Sequence, residues 1–191
     1  MSRELEAAAD GFARYMASTG KYGHVADGRQ PVDRAAAQGY DHCIVSENIA
    51  RVYRAAGPDA AALAGDMVEG WKKSYDHRRA MLDPAVTQAG FGVAQDANGR
   101  YFGVQMFGRP KASAIRFRLR NDSTRNVDYS AGERRFSLPP HVERTHTVCR
   151  PLEITIALPK PFRATAKDGA SYLVLERAGE LAVQAAEPSR P

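Results

Sequence analysis

The hydrophobic pattern of this 191-residue chain changes its period near residue 110, and this change limits the folds open to it. In the first part, apolar residues recur every four positions: Leu63, Met67, Trp71 and Tyr75. This spacing predicts one buried stripe of an amphipathic helix. In the second part, Ile115, Phe117 and Leu119 alternate with arginines, which predicts a strand with one buried face. The sequence therefore predicts two domains, residues 1–110 and 111–191.

Residues 1–110 combine helical and strand signals. Apolar residues at helical spacing predict a helix over 3–18. Pro31 and Gly39 bracket a second, short helix. Cys43 to Val45 are expected to form a short extended segment. Two strand-like runs, 88–95 and 100–107, flank an Asn-Gly turn and predict a hairpin. We expect an α+β domain in which helices pack on a small antiparallel sheet.

Residues 111–191 carry strand signals without a helical pattern. Beyond the strand that begins at Ile115, further runs lie at 126–130, 134–138, 145–149, 152–158, 171–176 and 180–184. Six or seven short strands separated by turn residues predict a small all-β, sandwich-like domain. Residues 187–191 are expected to be a disordered tail.

The charge of the chain is concentrated in its second part. The net charge is +5, yet residues 1–110 hold 13 Lys and Arg against 13 Asp and Glu. A basic domain indicates either a soluble, arginine-rich surface or an anionic partner. Nucleic acid is not expected, because no aromatic platform accompanies the arginines. No apolar run approaches the roughly 20 residues of a transmembrane helix.

Arg116, Arg118 and Arg120 must lie on one face of their strand, because side chains alternate. Two interpretations stay open. Acidic residues of a neighbouring strand could lie across from the arginines; the candidates are Glu153, Glu176 and Glu180. Alternatively, the face is free for an anionic surface.

The chain has two cysteines, Cys43 and Cys149, one in each predicted domain. Neither has a Cys or His neighbour at zinc-ligand spacing, so a structural zinc site at the cysteines is not expected. They could be two buried thiols or one disulfide bond.

Five segments resemble, in their order, a known family. They are Gly23-His24, the Ser46-Glu47-Asn48-Ile49-Ala50 box, Trp71 followed by His77-Arg78, Gly90 to Val93, and Tyr101 to Gly108. Together they resemble the bacterial branch of the CAP superfamily, also called the SCP domain, over residues 3–109. The resemblance implies a three-layer α/β/α sandwich. It also implies a secreted or periplasmic protein, although the chain starts without an export signal.

The resemblance further implies that His24, Glu47 and His77 converge in one cleft. The position of the second family acid is occupied by Ser74. Two imidazoles and the Glu47 carboxylate could hold a divalent metal ion, zinc for example, with water in the other positions, whereas the two histidines alone would hold it only weakly. Glu47 would then orient a water or one imidazole. Without the resemblance, each histidine could simply lie at a helix end.

The expected function is that of an exported, monomeric binding module without catalysis. Its cleft would take a metal ion or a small, lipid-like ligand, and its basic β-domain would dock on an anionic component of the cell envelope. The alternative is a metal-dependent hydrolase of peptide or envelope polymer, with Glu47 as base. Ser74 is a further candidate nucleophile, but no oxyanion-hole signature surrounds it. Whether the protein is an enzyme therefore stays open.

Overall fold

A computed structural model describes residues 1–54 and 59–186. The chain divides into two compact units, Met1–Ser113 and Ala114–Pro191. The predicted disorder of residues 187–191 lies outside the described residues. Neither Cys43 nor Cys149 is a free thiol. In the described part of the chain, no helix has both the length and the apolar character needed to cross a membrane.

The first unit contains helices and one sheet, which confirms the α+β prediction. Its elements are α1 (Arg3–Thr19), α2 (Pro31–Ala37), β1 (His42–Tyr53), α3 (Ala60–Lys73), α4 (Tyr75–Met81), β2 (Gln88–Gln95) and β3 (Arg100–Pro110). A 3₁₀ turn at Lys111–Ser113 follows. Within the described residues, the strands form an antiparallel sheet in the order β1-β3-β2.

Helices contact both faces of this sheet. Leu5, Phe12 and other apolar residues of α1 pack on Phe102, Val104 and Met106 of β3. Gly90 and Gly92 of β2 lie directly under the α1 backbone, where an added Cβ would overlap it. Glycine is therefore required at both positions, since any side chain would push the helix off the sheet. On the other face, α3 packs on β1 and β3.

The predicted stripe of α3 is correct for three of its four residues. Leu63, Met67 and Trp71 are buried, and Trp71 Nε1 donates a hydrogen bond to the Ile49 carbonyl oxygen at 3.0 Å. Tyr75 is 78% exposed, so its predicted burial is wrong. The reason is local: the backbone of Ser74 is extended, with ψ at 126°, and a new helix begins at Tyr75. The four-residue period does not cross this break.

Strand β1 is longer than the predicted segment at 43–45 and includes the whole Ser46–Ala50 box. Because side chains alternate along a strand, Glu47 and Asn48 point to opposite faces of the sheet. Glu47 pairs in register with Met106 on the α1 face, and Asn48 pairs with Gln105 on the other. The two adjacent polar residues therefore serve different neighbours.

The described residues of the second unit form two four-stranded sheets. The strands are β4 (Ile115–Asn121), β5 (Val127–Ala131), β6 (Arg134–Leu138), β7 (Glu143–Val148), β8 (Glu153–Ile156), β9 (Phe162–Thr165), β10 (Ser171–Arg177) and β11 (Glu180–Ala186). The sheet orders are β11-β10-β4-β7 and β6-β5-β8-β9. Strand β9, which follows the turn residues Pro159 to Pro161, was not predicted.

Both sheets contribute to one apolar core. Phe117 and Leu119 come from β4, Tyr129 from β5, and Ile154 from β8. A polar contact between His146 and Tyr129 is among those that join the two sheets. The Nε2 atom of His146 on β7 lies 2.8 Å from the Tyr129 hydroxyl, and its ring stacks on Phe117 at 4.9 Å.

Candidate functional site

His24 and Glu47 form a direct hydrogen bond. His24 lies in the loop after α1. Gly20, which caps the C-terminus of that helix, adopts the left-handed conformation that favours glycine, with φ at 70°. His24 Nδ1 is 2.9 Å from Glu47 Oε1. The Glu47 side chain is completely buried, whereas that of His24 is 47% exposed. The carboxylate therefore lies beneath the imidazole, and the ring faces outward.

Arg34 of α2 provides the positive charge that a buried carboxylate requires. Its Nη2 donates to Glu47 Oε2 and to the His24 carbonyl oxygen, both at 2.8 Å. Its Nη1 donates to Asp27 Oδ1 and to the Arg29 carbonyl oxygen at the same distance. Only 5% of the Arg34 side chain is exposed. Arg34 thus joins α2, the His24 loop and β1 through one guanidinium.

The guanidinium is also fixed from its flat side. Its central carbon lies 3.6 Å from the centre of the Phe12 ring on α1. Stacking on an aromatic ring suits the planar, weakly hydrated guanidinium better than it would suit an ammonium group. We infer that the position of Glu47, and through it that of His24, is determined by packing against α1.

This arrangement selects one tautomer of His24. The Glu47 carboxylate, which already accepts a hydrogen bond from the Arg34 guanidinium, acts as a hydrogen-bond acceptor. The Nδ1–H of His24 therefore donates to Glu47, and the lone pair of the neutral ring is on Nε2. The site consequently holds an imidazole nitrogen that is free to accept a hydrogen bond or to bind a metal ion.

His77 of α4 is the second histidine that the family resemblance assigns to the site. Burial lowers the pKa of His77 below its ordinary value, the charge of His24 lowers the pKa further, and Asp76 opposes the shift. His77 is consequently neutral near pH 7.

Asn48 fastens α4 to the sheet. Its Nδ2 donates to the His77 carbonyl oxygen and to Gln105 Oε1, both at 3.1 Å. Asn48 is 1% exposed, so these bonds are shielded from water. The two adjacent residues of the box therefore have separate tasks: Glu47 orients His24, and Asn48 anchors the backbone of His77.

The structure thus brings His24 and Glu47 into contact. Ser74 lies between α3 and α4, where its carbonyl oxygen accepts a hydrogen bond from the Arg78 backbone N–H. Its hydroxyl makes no cap hydrogen bond to α4. The Glu47 carboxylate is fully buried and accepts from both neighbours, so it is not placed to take a proton from a water.

The same contacts determine whether these side chains can hold a metal ion. Among the described residues, no group of three or more His, Cys, Asp or Glu side chains is arranged to hold one. Both oxygens of Glu47 already accept hydrogen bonds. Two imidazoles remain as possible metal ligands, which is fewer than the three or four protein ligands usual for zinc. The donor set does not fit a tightly held zinc ion.

Sequence reasoning missed Arg34 and Asp27. A signal for Arg34 was present, because it is the single cation in a short, alanine-rich helix that must bury one face. A buried glutamate in a strand also requires a cationic partner. Asp27 carried no comparable signal.

Comparisons with known proteins identify the family of the first unit. The profile of the Cysteine-rich secretory protein family, CAP, matches residues 1–107. A similar solved structure is that of an outer surface protein from Borrelia burgdorferi. It has 19% sequence identity and a TM-score of 0.48, and the match covers 58% of this chain and 76% of that chain. No curated protein matches the chain. Through its first 107 residues, the chain belongs to the cysteine-rich secretory protein (CAP) family.

Proposed function

We propose that this CAP-family protein is an exported, non-catalytic binding module. Its first unit would have the three-layer arrangement of helices around a sheet, and its ligand would be held by His24 and His77. The observation that carries the proposal is the hydrogen-bonded series Arg34, Glu47, His24. Because its carboxylate is buried and paired with a guanidinium, this series serves to position one imidazole.

The chemistry of the two rings defines the ligand class. A neutral imidazole with its Nδ1–H engaged presents Nε2 as an electron-pair donor. His77, whose pKa burial lowers below its ordinary value, adds a second neutral ring near pH 7. The ligand should therefore accept electron pairs. A divalent metal ion, bound weakly and completed by water, meets this requirement, and so does the hydrogen-bond donor group of a small molecule.

Hydrolysis is the less supported function. As a base, Glu47 would have to be reached by water, yet its side chain is fully buried. As a nucleophile, Ser74 would need a hydrogen-bonded base. We therefore place binding first and expect no turnover of peptide or envelope polymer.

Titration of the full chain with zinc, measured by calorimetry, tests the proposal. We expect weak, exchangeable binding by the wild type, which is lost in His24→Gln and in His77→Gln. His141→Asn is a matched control, because His141 lies in the second unit at a positive φ of 59° that asparagine tolerates. Equal zinc binding by His77→Gln and the control would contradict the two-imidazole site. No zinc binding by the wild type would remove the metal ion as the ligand.

A further inference from the structure

The outer face of the sheet that contains β4 carries an exposed row of arginines. Arg116, Arg118 and Arg120 are exposed and alternate with buried apolar residues. We call the surface formed by these three residues the arginine face.

The acidic partners considered from the sequence do not lie across from the arginine face. Glu153 is on β8, in the other sheet, and accepts from Arg163 Nη1 at 3.2 Å. Glu176 accepts from the Thr124 hydroxyl at 2.7 Å. Glu180 pairs in register with Arg177. None of these three candidates is therefore the partner of an arginine in the row, because the strand order decides which residues lie next to β4 and hydrophobic periodicity does not predict that order.

Neutral residues flank the first two arginines. On β7, Thr147 lies opposite Arg116 and Thr145 opposite Arg118. On β10, Ser171 lies next to Arg118. The backbone N–H of Arg116 donates to Asp168 Oδ1, which brings one carboxylate to this end of the strand. Among the described residues, the side chains of Arg116 and Arg118 form no ion pair.

The third arginine differs from the first two. Arg120 Nε donates to Asp122 Oδ1 at 2.6 Å, and Glu143 lies opposite Arg120 on β7. Two acidic side chains, those of Asp122 and Glu143, thus lie at the Arg120 end of the row, and Asp168 binds the backbone N–H at the Arg116 end. Among the described residues, the Arg116 and Arg118 side chains take part in no ion pair with these carboxylates.

Two partly buried leucines of β10, Leu173 and Leu175, lie towards the Arg120 end of the cationic row. Leu173 of β10 lies in register with Arg120 and is only partly buried. Leu175, two residues further, lines a shallow cavity of about 350 Å³ together with Ala182 and Gln184 of β11. A membrane-binding surface has this composition: cations that reach lipid phosphates, and apolar side chains that enter the interface between headgroups and acyl chains.

We propose that the arginine face docks on a bilayer that contains anionic lipids. Arg116 and Arg118 would bind the headgroup phosphates, for which a guanidinium is well suited, and Leu173, next to Arg120, would insert at the other end of the row. Charge complementarity supports this partner. The whole net charge of +5 comes from residues 111–191, while residues 1–110 are balanced. Two adjacent cations without partners repel each other, and an anionic surface removes this repulsion.

Binding of the full chain to lipid vesicles tests the proposal. One set of vesicles contains phosphatidylglycerol and phosphatidylcholine, and the other contains phosphatidylcholine alone. We expect binding to the anionic vesicles at about 0.02 M salt and its loss at about 0.5 M salt, where charges are strongly screened. No binding of the wild type at low salt would overturn the proposal.

Variants locate the surface. Each arginine near an anionic bilayer contributes roughly a fivefold gain in partitioning. The double variant Arg116→Gln/Arg118→Gln should therefore bind roughly 30-fold more weakly. Arg134→Gln/Arg135→Gln changes the charge equally on exposed positions of β6, in the other sheet, and should cost less than about threefold. Equal losses in the two variants would mean that only net charge matters, which contradicts a defined face.

A soluble polyanion distinguishes the lipid surface from an anionic polymer. We expect Leu173→Thr to weaken vesicle binding and to leave the binding of inorganic polyphosphate unchanged. Polyphosphate binding as strong as vesicle binding, together with no effect of Leu173→Thr on vesicles, would overturn the choice of a bilayer. His77→Gln should leave vesicle binding unchanged. A negative result for membrane binding would therefore not contradict the His24 site, and a negative result for that site would not contradict membrane binding.

Discussion

Arginine has two opposite environments in this molecule. Arg34 of the first unit is 5% exposed, donates four hydrogen bonds of 2.8 Å and stacks on Phe12. Arg118 of the second unit is exposed and, among the described residues, forms no ion pair. A buried guanidinium must have its acceptors fixed around it, so it positions other groups. An exposed guanidinium without acceptors remains available to a partner.

The largest effect that this comparison predicts comes from removal of Arg34. Arg34→Met leaves the Glu47 carboxylate buried without a cation and should lower the free energy of unfolding by about 3–5 kcal/mol. Urea denaturation of the full chain, followed by circular dichroism, measures the loss. The double variant Arg34→Met/Glu47→Gln should recover part of it, because the amide carries no charge. A loss below about 1 kcal/mol in the single variant would contradict the structural role of Arg34.

An intermediate effect is expected at His146, whose partly buried ring bonds the Tyr129 hydroxyl in the second unit. Burial lowers the pKa of His146, and the charge of Arg144 lowers it further. The unfolded chain therefore binds this proton more readily than the folded chain. The stability that His146 provides is complete above its unfolded pKa of about 6.5 and decreases as the pH falls below that value.

His146→Leu tests this pH dependence. At neutral pH, loss of the bond to the Tyr129 hydroxyl should cost about 1 kcal/mol. Below about pH 6.5, the difference in stability between wild type and variant should shrink, because the variant has no imidazole to protonate. Melting temperatures measured across this pH range check both effects. A constant difference between the two proteins would show that His146 does not titrate as its surroundings require.

The smallest effect is expected on the arginine face. Arg118→Gln removes a charge that has no ion-pair partner among the described residues, so the free energy of unfolding should change by less than about 0.5 kcal/mol in either direction. Urea denaturation alongside Arg34→Met gives the comparison directly. A loss of more than about 2 kcal/mol would mean that Arg118 supports the fold and is not a free docking residue.

The sequence was sufficient where a signal was local. The buried stripe at Leu63, Met67 and Trp71 could be predicted because apolar residues recur at the spacing of one helix turn. The predicted burial of Tyr75 was wrong because the backbone at Ser74 is extended, which interrupts the helix without a change in the hydrophobic period. Strand β9 was missed because it has only four residues and directly follows the turn residues Pro159 to Pro161, so it gave no separate strand signal.

The sequence was insufficient where partners come from distant segments. The family resemblance indicated His24 and Glu47, but Arg34 is recognisable as their partner only when α2, the loop and β1 are brought together. Likewise, β4 lies between β10, which is parallel to it, and β7. No periodicity predicts that order, so the charges across from Arg116 and Arg118 could not be assigned in advance.

The central claim is that Arg34 and Glu47 fix His24 as the Nδ1–H tautomer. The most direct test is the ¹⁵N NMR spectrum of the histidine side chains near pH 7.5. Our account predicts a protonated Nδ1 and an unprotonated Nε2 for His24, and a change to an averaged pattern in Arg34→Met/Glu47→Gln. An Nε2–H tautomer for His24 in the wild type, or the same averaged pattern in both proteins, would contradict it.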